Sequence, residues 1–189
     1  MKINRAYAAR VFEENLSEDF LIKHCLAVEI GMRAYAKKFG QDVEYWGAVG
    51  LLHDIDYEKY PDQHPLRAGE FLEKYGFDDY FIDVVISHGY EWEKERDLLQ
   101  NTLVAVDSVV SFILSCAKKS PERTIHSLTA DAVLDRLEDE SFAPYADRKR
   151  ICEFPKYIEM ELKEHIAFLI EAMREALLLP QYALLEQKK

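Results

Sequence analysis

The chain has 189 residues, 49% of them hydrophobic, with 35 acidic against 24 basic side chains and a formal net charge of −11. Such a length and apolar content suit one domain with its own core, and the negative charge argues against general nucleic-acid binding along a phosphate backbone. Three scattered cysteines, Cys25, Cys116 and Cys152, form neither a Cys-x-x-Cys pair nor a secreted disulfide framework, so a reducing, cytoplasmic setting is expected.

The N-terminal MKINRAYAARVFEENL lacks the continuous apolar stretch of a signal peptide. Apolar residues then recur at helical spacing almost throughout, which predicts an all-α, single-domain helical bundle. Over about 18–39, Leu21, Cys25, Val28, Met32, Tyr35 and Phe39 make one stripe, and Gly40 ends the helix as a C-terminal cap would. A second helix is predicted over about 42–54, with Asp42 as N-cap; its Gly47 and Gly50 mark the close approach of another helix. Pro65 suits the first turn of a helix through about 75, closed by Gly76, and Asp78 or Asp79 starts another ending near His88. After the polar GYEWEKERD comes a long apolar helix over about 98–116, whose run LVAVDSVVSFILSCA reads as too short and too polar to span a bilayer. A short helix over about 130–137, an irregular Pro-containing region and a final amphipathic helix over about 160–178 complete the chain.

The stretch LLHDIDYEKYPDQHP, residues 51–65, is unusual: His53, Asp54, Asp56, Glu58, Asp62 and His64 crowd together directly after an apolar run. Carboxylates this dense repel one another near a core unless something positive sits among them. Asp107 lies on the stripe of Leu103, Val110 and Leu114, where it needs partners, either the hydroxyls of Ser108 and Ser111 or a cation. His24 sits beside Phe20, Ala27 and Val28 and has the same two readings, a core histidine with one hydrogen bond or a ligand. His88 continues the stripe of Phe81, Val84 and Val85, and His64 precedes Pro65 at the expected helix start. Each has a plain structural explanation alone, but together they point to a shared cation. Imidazole and carboxylate suit a divalent transition-metal ion (Fe, Mn, Zn or Ni), whereas a soft thiolate site is disfavoured. His126 and His165 read as surface or structural residues.

Helical order with His24, the His53-Asp54 doublet and then Asp107 resembles the HD superfamily of metal-dependent phosphohydrolases. LLHDIDYEKY and HPLRAGEFL look closest to its HDIG-like branch, and ISHGYEWE resembles the region that contributes a further histidine. The likeness covers about 18–117 as the motif-bearing core, with a weaker similarity over the helical extension of about 118–189. It implies that His24, His53, Asp54 and Asp107 bind one metal, and that His64 and His88 hold a second with Asp54 bridging. The glycine of HDIG is replaced by Asp56 and the lysine that often follows by Tyr57, while a Gly-Tyr-Pro signature is missing.

The function this implies is hydrolysis of a phosphate ester of a nucleotide or another small phosphorylated metabolite by metal-activated water. Besides Asp54, Glu58 and Asp62 are candidate catalytic groups or else solvated loop acids. His64, if not a ligand, could orient an anion at its helix N-terminus. Arg67, Lys118, Lys119 and Arg123 could meet substrate phosphate or be ordinary surface charge. Tyr90 and Trp92 could line a pocket, form a dimer contact or be scattered surface residues. A di-iron oxygenase and a non-catalytic, metal-containing sensing module are the alternatives, and homo-oligomerisation is left open.

Overall fold

In the computed structural model, residues 3–186 are described. Nine α-helices are joined by turns and four 3-10 segments, with no strand among the described residues. The centre is a pair of long helices, α2 (Asp19–Phe39) and α6 (Leu98–Lys119). Packed around them are α3 (Val43–Leu52), α5 (Asp79–Ile86), α7 (Ala130–Leu137), α8 (Arg148–Glu153) and α9 (Leu162–Ala176).

Local chemistry fixes most boundaries. Gly40, at φ 66°, closes α2 by donating its amide to the carbonyls of Ala36 and Lys37. Asp42 accepts from the Glu44 and Tyr45 amides at the start of α3, and Asp78 accepts from Phe81 at the start of α5. Asp97 and Gln100 exchange hydrogen bonds as a capping box at the head of α6. The α2 stripe expected from spacing is buried from Leu21 to Tyr35. At Gly50 a Cβ would lie 2.9 Å from the Val28 carbonyl oxygen, so a glycine is what lets α3 press against the α2 backbone.

Several segments depart from the sequence reading. Residues Arg5–Asn15 form α1, which no pattern had singled out because only Ala8, Val11 and Phe12 face the core. It is tied down by Arg5, whose guanidinium donates twice to the buried Glu29 carboxylate of α2, at 2.8 and 3.2 Å. Pro65 does not begin a helix. The chain turns through Pro65 to Arg67 and α4 starts later (Ala68–Lys74), because the Arg67 amide is drawn to the Asp56 carboxylate at 3.1 Å. The region expected to be irregular before the last helix contains α8. Its approach is ordered by Arg148, which donates to the carbonyls of Leu137, Asp139 and Phe142, a side-chain staple with no periodic signature. Finally, α6 runs three residues past the expected end. At 22 residues and mean hydropathy 1.5 it has the length and composition to cross a membrane, yet its apolar face, including Leu103, Val106, Val110 and Ile113, is packed inside this fold.

Candidate metal centre

Four of the chain's six histidines and two aspartates meet where α2, the end of α3, the segment after the 3-10 turn Pro61–Gln63, the turn after α5 and the middle of α6 come together. His53 is the C-terminal cap of α3 and Asp54 follows it, so the doublet enters the site as the helix unwinds. His24 Nε2 lies 3.1 Å from His53 Nε2 and 3.1 Å from Asp107 Oδ1. His64 Nε2 lies 2.9 Å from His88 Nε2 and 3.1 Å from Asp54 Oδ1. Asp54 belongs to both groups: Oδ2 faces His24 at 3.4 Å, and Oδ1 faces His53 at 3.2 Å and His88 at 3.5 Å.

The outer ring nitrogens say what the inner ones can do. His53 Nδ1 is 2.8 Å from the Gly50 carbonyl oxygen and His88 Nδ1 is 2.5 Å from that of Val85. A carbonyl only accepts, so both Nδ1 atoms carry the proton and, in neutral rings, both Nε2 atoms present lone pairs. These lone pairs point at carboxylates and at the Nε2 atoms of His24 and His64. Such an arrangement repels itself unless protons or a cation lie between, and nitrogen and oxygen donors of this kind with oriented outer N–H groups fit a divalent transition metal. The His24 ring is held at Nδ1 by the Ser111 hydroxyl, at 2.8 Å.

Electrostatics follow from that crowding. Burial works to raise Asp54, but His53, His64, His88 and His24 outweigh it and hold the carboxyl well below its ordinary range. Asp107 is likewise held low against burial by His24 and His53. Burial pulls His88 down, favouring the neutral ring, and hydrogen bonding to Asp54 only partly offsets it. Against the cost of burial, Asp54 and Asp56 push His64 up to about 10, so a cation binding there must displace a proton. Cys25 also lies within ligating reach of His53 and Asp54. Its burial, with Asp54 and Asp107 nearby, pushes the thiol well up and favours its protonated form.

Other expected residues lie elsewhere. Glu58 accepts from the Ser17 amide and hydroxyl and the Glu18 amide, at 2.7, 2.6 and 3.2 Å, so its carboxylate tethers the entry to α2 and is not available for proton transfer. Asp62 is exposed in the 3-10 turn Pro61–Gln63, away from the cavity lining. Asp107 does not rely on hydroxyls: Ser108 Oγ bonds to the Val104 carbonyl and Ser111 to His24. His64 follows a 3-10 turn in extended backbone, so it is not at a helix N-terminus. The Arg67 guanidinium is occupied by Gln63 and Glu70. Lys118 and Lys119 are exposed at the far end of α6, with Lys118 about 16 Å along the helix from Asp107 at 1.5 Å per residue, and Arg123 is exposed beyond them. Phe20, expected near a buried face, is 63% exposed and rests edge-on against Tyr57. His126 is exposed, whereas His165 is fully buried between Tyr35 and Ala105.

The cluster opens into a cavity of about 380 Å³. Two contributors to its surroundings were assigned no place in the site from the sequence, although Asp56 stands in the crowded 51–65 stretch. Asp56, fully buried, accepts from His64 Nδ1 at 2.7 Å and sets that ring's orientation. Its signal was present, since a buried acid eight residues before a histidine needs a partner. Arg150 enters the cavity wall from α8, and a basic residue in a six-residue helix gives no comparable signal. Gly89 helps by size: a Cβ there would lie 2.8 Å from Pro65 Cδ, so a glycine lets the His88 turn close on the His64 segment. Tyr90 lines the cavity and Trp92 does not. A larger hollow of about 650 Å³ between α2 and α9, lined by residues such as Ile30, Phe168 and Tyr182, contains none of these groups.

An all-helical scaffold that brings imidazoles and carboxylates together from five separate segments defines a helical metal-binding protein. A family model of the HD domain matches residues 21–139, more than half of the chain, and the chain belongs to that family of metal-dependent phosphohydrolases. It is also similar to two curated proteins, the Ribonuclease Y of Mycoplasma mycoides subsp. mycoides SC and that of Mycoplasma capricolum subsp. capricolum. Each is 33% identical over 93 residues, which is 47% of this chain and 18% of the relative. The chain therefore spans less than a fifth of the length of these relatives. No solved structure matches it.

Proposed function

We propose that the protein hydrolyses the phosphate ester of a small metabolite or nucleotide, using two divalent metal ions. The observation that carries this reading is the pair of donor groups, His24–His53–Asp107 and His64–His88, joined through the two oxygens of Asp54 at the floor of one cavity. His24, His53, Asp54 and Asp107 would hold one ion, and His64, His88 and Asp54 the other. Bound divalent ions supply a lowered pKa for water and offset charge on phosphoryl oxygens.

The chain's own residues do the rest. Ser111, Gly50, Val85 and Asp56 fix the four imidazoles through their Nδ1 atoms, so the Nε2 atoms are organised before any ligand arrives. The cavity lies at the small end of ligand-site volumes, which favours a compact substrate over a polymer. The net charge of −11 supports the same choice. The likeness to Ribonuclease Y adds support for phosphoester chemistry but covers too little of that protein to bring its substrate here.

The test is an assay of protein reconstituted separately with Mn, Fe, Zn and Ni against a panel of nucleotides and sugar phosphates. Metal-dependent release of phosphate that disappears in Asp107→Ala is expected. A metal-loaded protein that hydrolyses none of the panel would contradict the reading, and oxygen consumption by the iron form would favour the oxygenase alternative.

A further inference from the structure

The wall of the cavity facing the cluster includes α8, which lies outside the segment matched by the family model. Among the lining residues Arg150 is the one lysine or arginine, whereas Asp54, Glu91, Asp107 and Asp147 bring carboxylates. An anionic substrate entering this negative surrounding gains from a fixed positive group.

Arg150 is fixed. Its Nη1 donates to the His88 carbonyl oxygen at 2.7 Å, and the guanidinium carbon sits 3.7 Å over the Tyr90 ring. Tyr90 is itself anchored, its hydroxyl donating to Asp147 Oδ2 at 2.7 Å while the Arg150 amide donates to Oδ1 at 3.0 Å. The side chain is thereby ordered before a ligand binds, which lowers the entropic cost of binding. With Nη1 engaged, the Nε and Nη2 edge makes no protein hydrogen bond among the described residues. That edge is one of the planar donor pairs of a guanidinium that match two oxygens of a phosphate.

We propose that Arg150 is the anion contact that selects the substrate of this cavity, its Nε and Nη2 gripping two non-bridging oxygens of a terminal phosphate, so that phosphomonoesters are taken in preference to phosphodiesters. The proposal rests on the phosphohydrolase reading. A monoester phosphate has three non-bridging oxygens, enough for the guanidinium edge and for the histidine–aspartate centre together. A diester has two, so its oxygens would each have to serve the guanidinium edge and the centre at once.

The test compares wild-type, Arg150→Met, Arg150→Lys and Lys118→Ala proteins, each loaded with metal and checked by elemental analysis. Each is titrated calorimetrically with inorganic phosphate and assayed on p-nitrophenyl phosphate and bis(p-nitrophenyl) phosphate. Arg150→Met should weaken phosphate binding and raise the monoester KM by about ten- to a hundredfold, the scale of a charged hydrogen bond, with a smaller change in kcat. Arg150→Lys should recover only part of this, since an ammonium is a single point charge. Diester turnover should barely change, and Lys118→Ala should behave as wild type. Unchanged phosphate affinity in Arg150→Met with metal retained would overturn the proposal. Metal loss in both Arg150 variants would overturn it too, making the residue a support for His88. Arg150-dependent phosphate binding in a protein that cleaves neither ester would uphold the contact and sink the phosphohydrolase reading instead.

Discussion

Two buried histidine environments in this molecule look alike in sequence and differ in chemistry. His165 on α9 and His53 at the C-terminal cap of α3 are both fully buried, and both give one ring nitrogen to a backbone carbonyl. At His165 the account closes: Nε2 donates to the Ala105 carbonyl oxygen at 3.0 Å, and Nδ1 accepts from the Tyr35 hydroxyl at 2.6 Å. At His53 it does not, since the free Nε2 faces His24 Nε2, Asp54 and Asp107, none of which has an obvious proton to give. A buried imidazole is a ligand candidate when its second nitrogen meets only acceptors, and a structural residue when that nitrogen meets a donor.

The largest expected effect breaks the comparison on the cluster side. Asp107→Ala should cut metal-dependent phosphate release by about a hundred- to a thousandfold, the scale of losing a charge-stabilising group at a reacting centre. His165→Gln should leave metal content unchanged but alter stability against pH. Burial lowers His165 from 6.5 to about 4, so between those values the unfolded chain binds the extra proton. The stabilisation is complete above about pH 6.5 and falls by about 3 kcal/mol as pH drops to about 4, at about 1.4 kcal/mol per pKa unit. Denaturant unfolding of metal-stripped proteins across that window should show a steeper slope in wild type than in His165→Gln; equal slopes would mean that His165 is not held neutral. Asp56→Asn should weaken metal binding at the His64 half by about ten- to a hundredfold, measurable by competition with a chelating dye. Smallest of all, Glu58→Gln should cost below about 1 kcal/mol in thermal unfolding, as loss of a cap does, and leave metal content intact.

How far the site was legible depended on whether a residue violated a pattern. Asp107 interrupts an apolar stripe and the His53-Asp54 doublet ends one, so each stood out before any fold was known. The all-helical class and the boundaries of α2 and α7 followed from spacing and caps for the same reason. Contacts made across the chain left no such mark. Glu58 meets Ser17 from 41 residues away, and a solvated-looking acid became a tether. Arg150 and Arg148 stand among other basic residues in ADRKR, and nothing in that run tells the one that bonds the His88 carbonyl from the one that staples a loop. Periodicity reports burial, whereas a side chain's hydrogen-bond partner emerges only with tertiary structure.

The measurement that bears most directly on the proposed centre is metal content by elemental analysis of protein purified without added metal, for wild type, His64→Ala and Asp54→Ala. About two transition-metal ions per chain in wild type, about one in His64→Ala and fewer still in Asp54→Ala are expected if Asp54 joins two sites. Wild-type protein that takes up no metal even after reconstitution would contradict the centre, and with it the hydrolytic reading built on it.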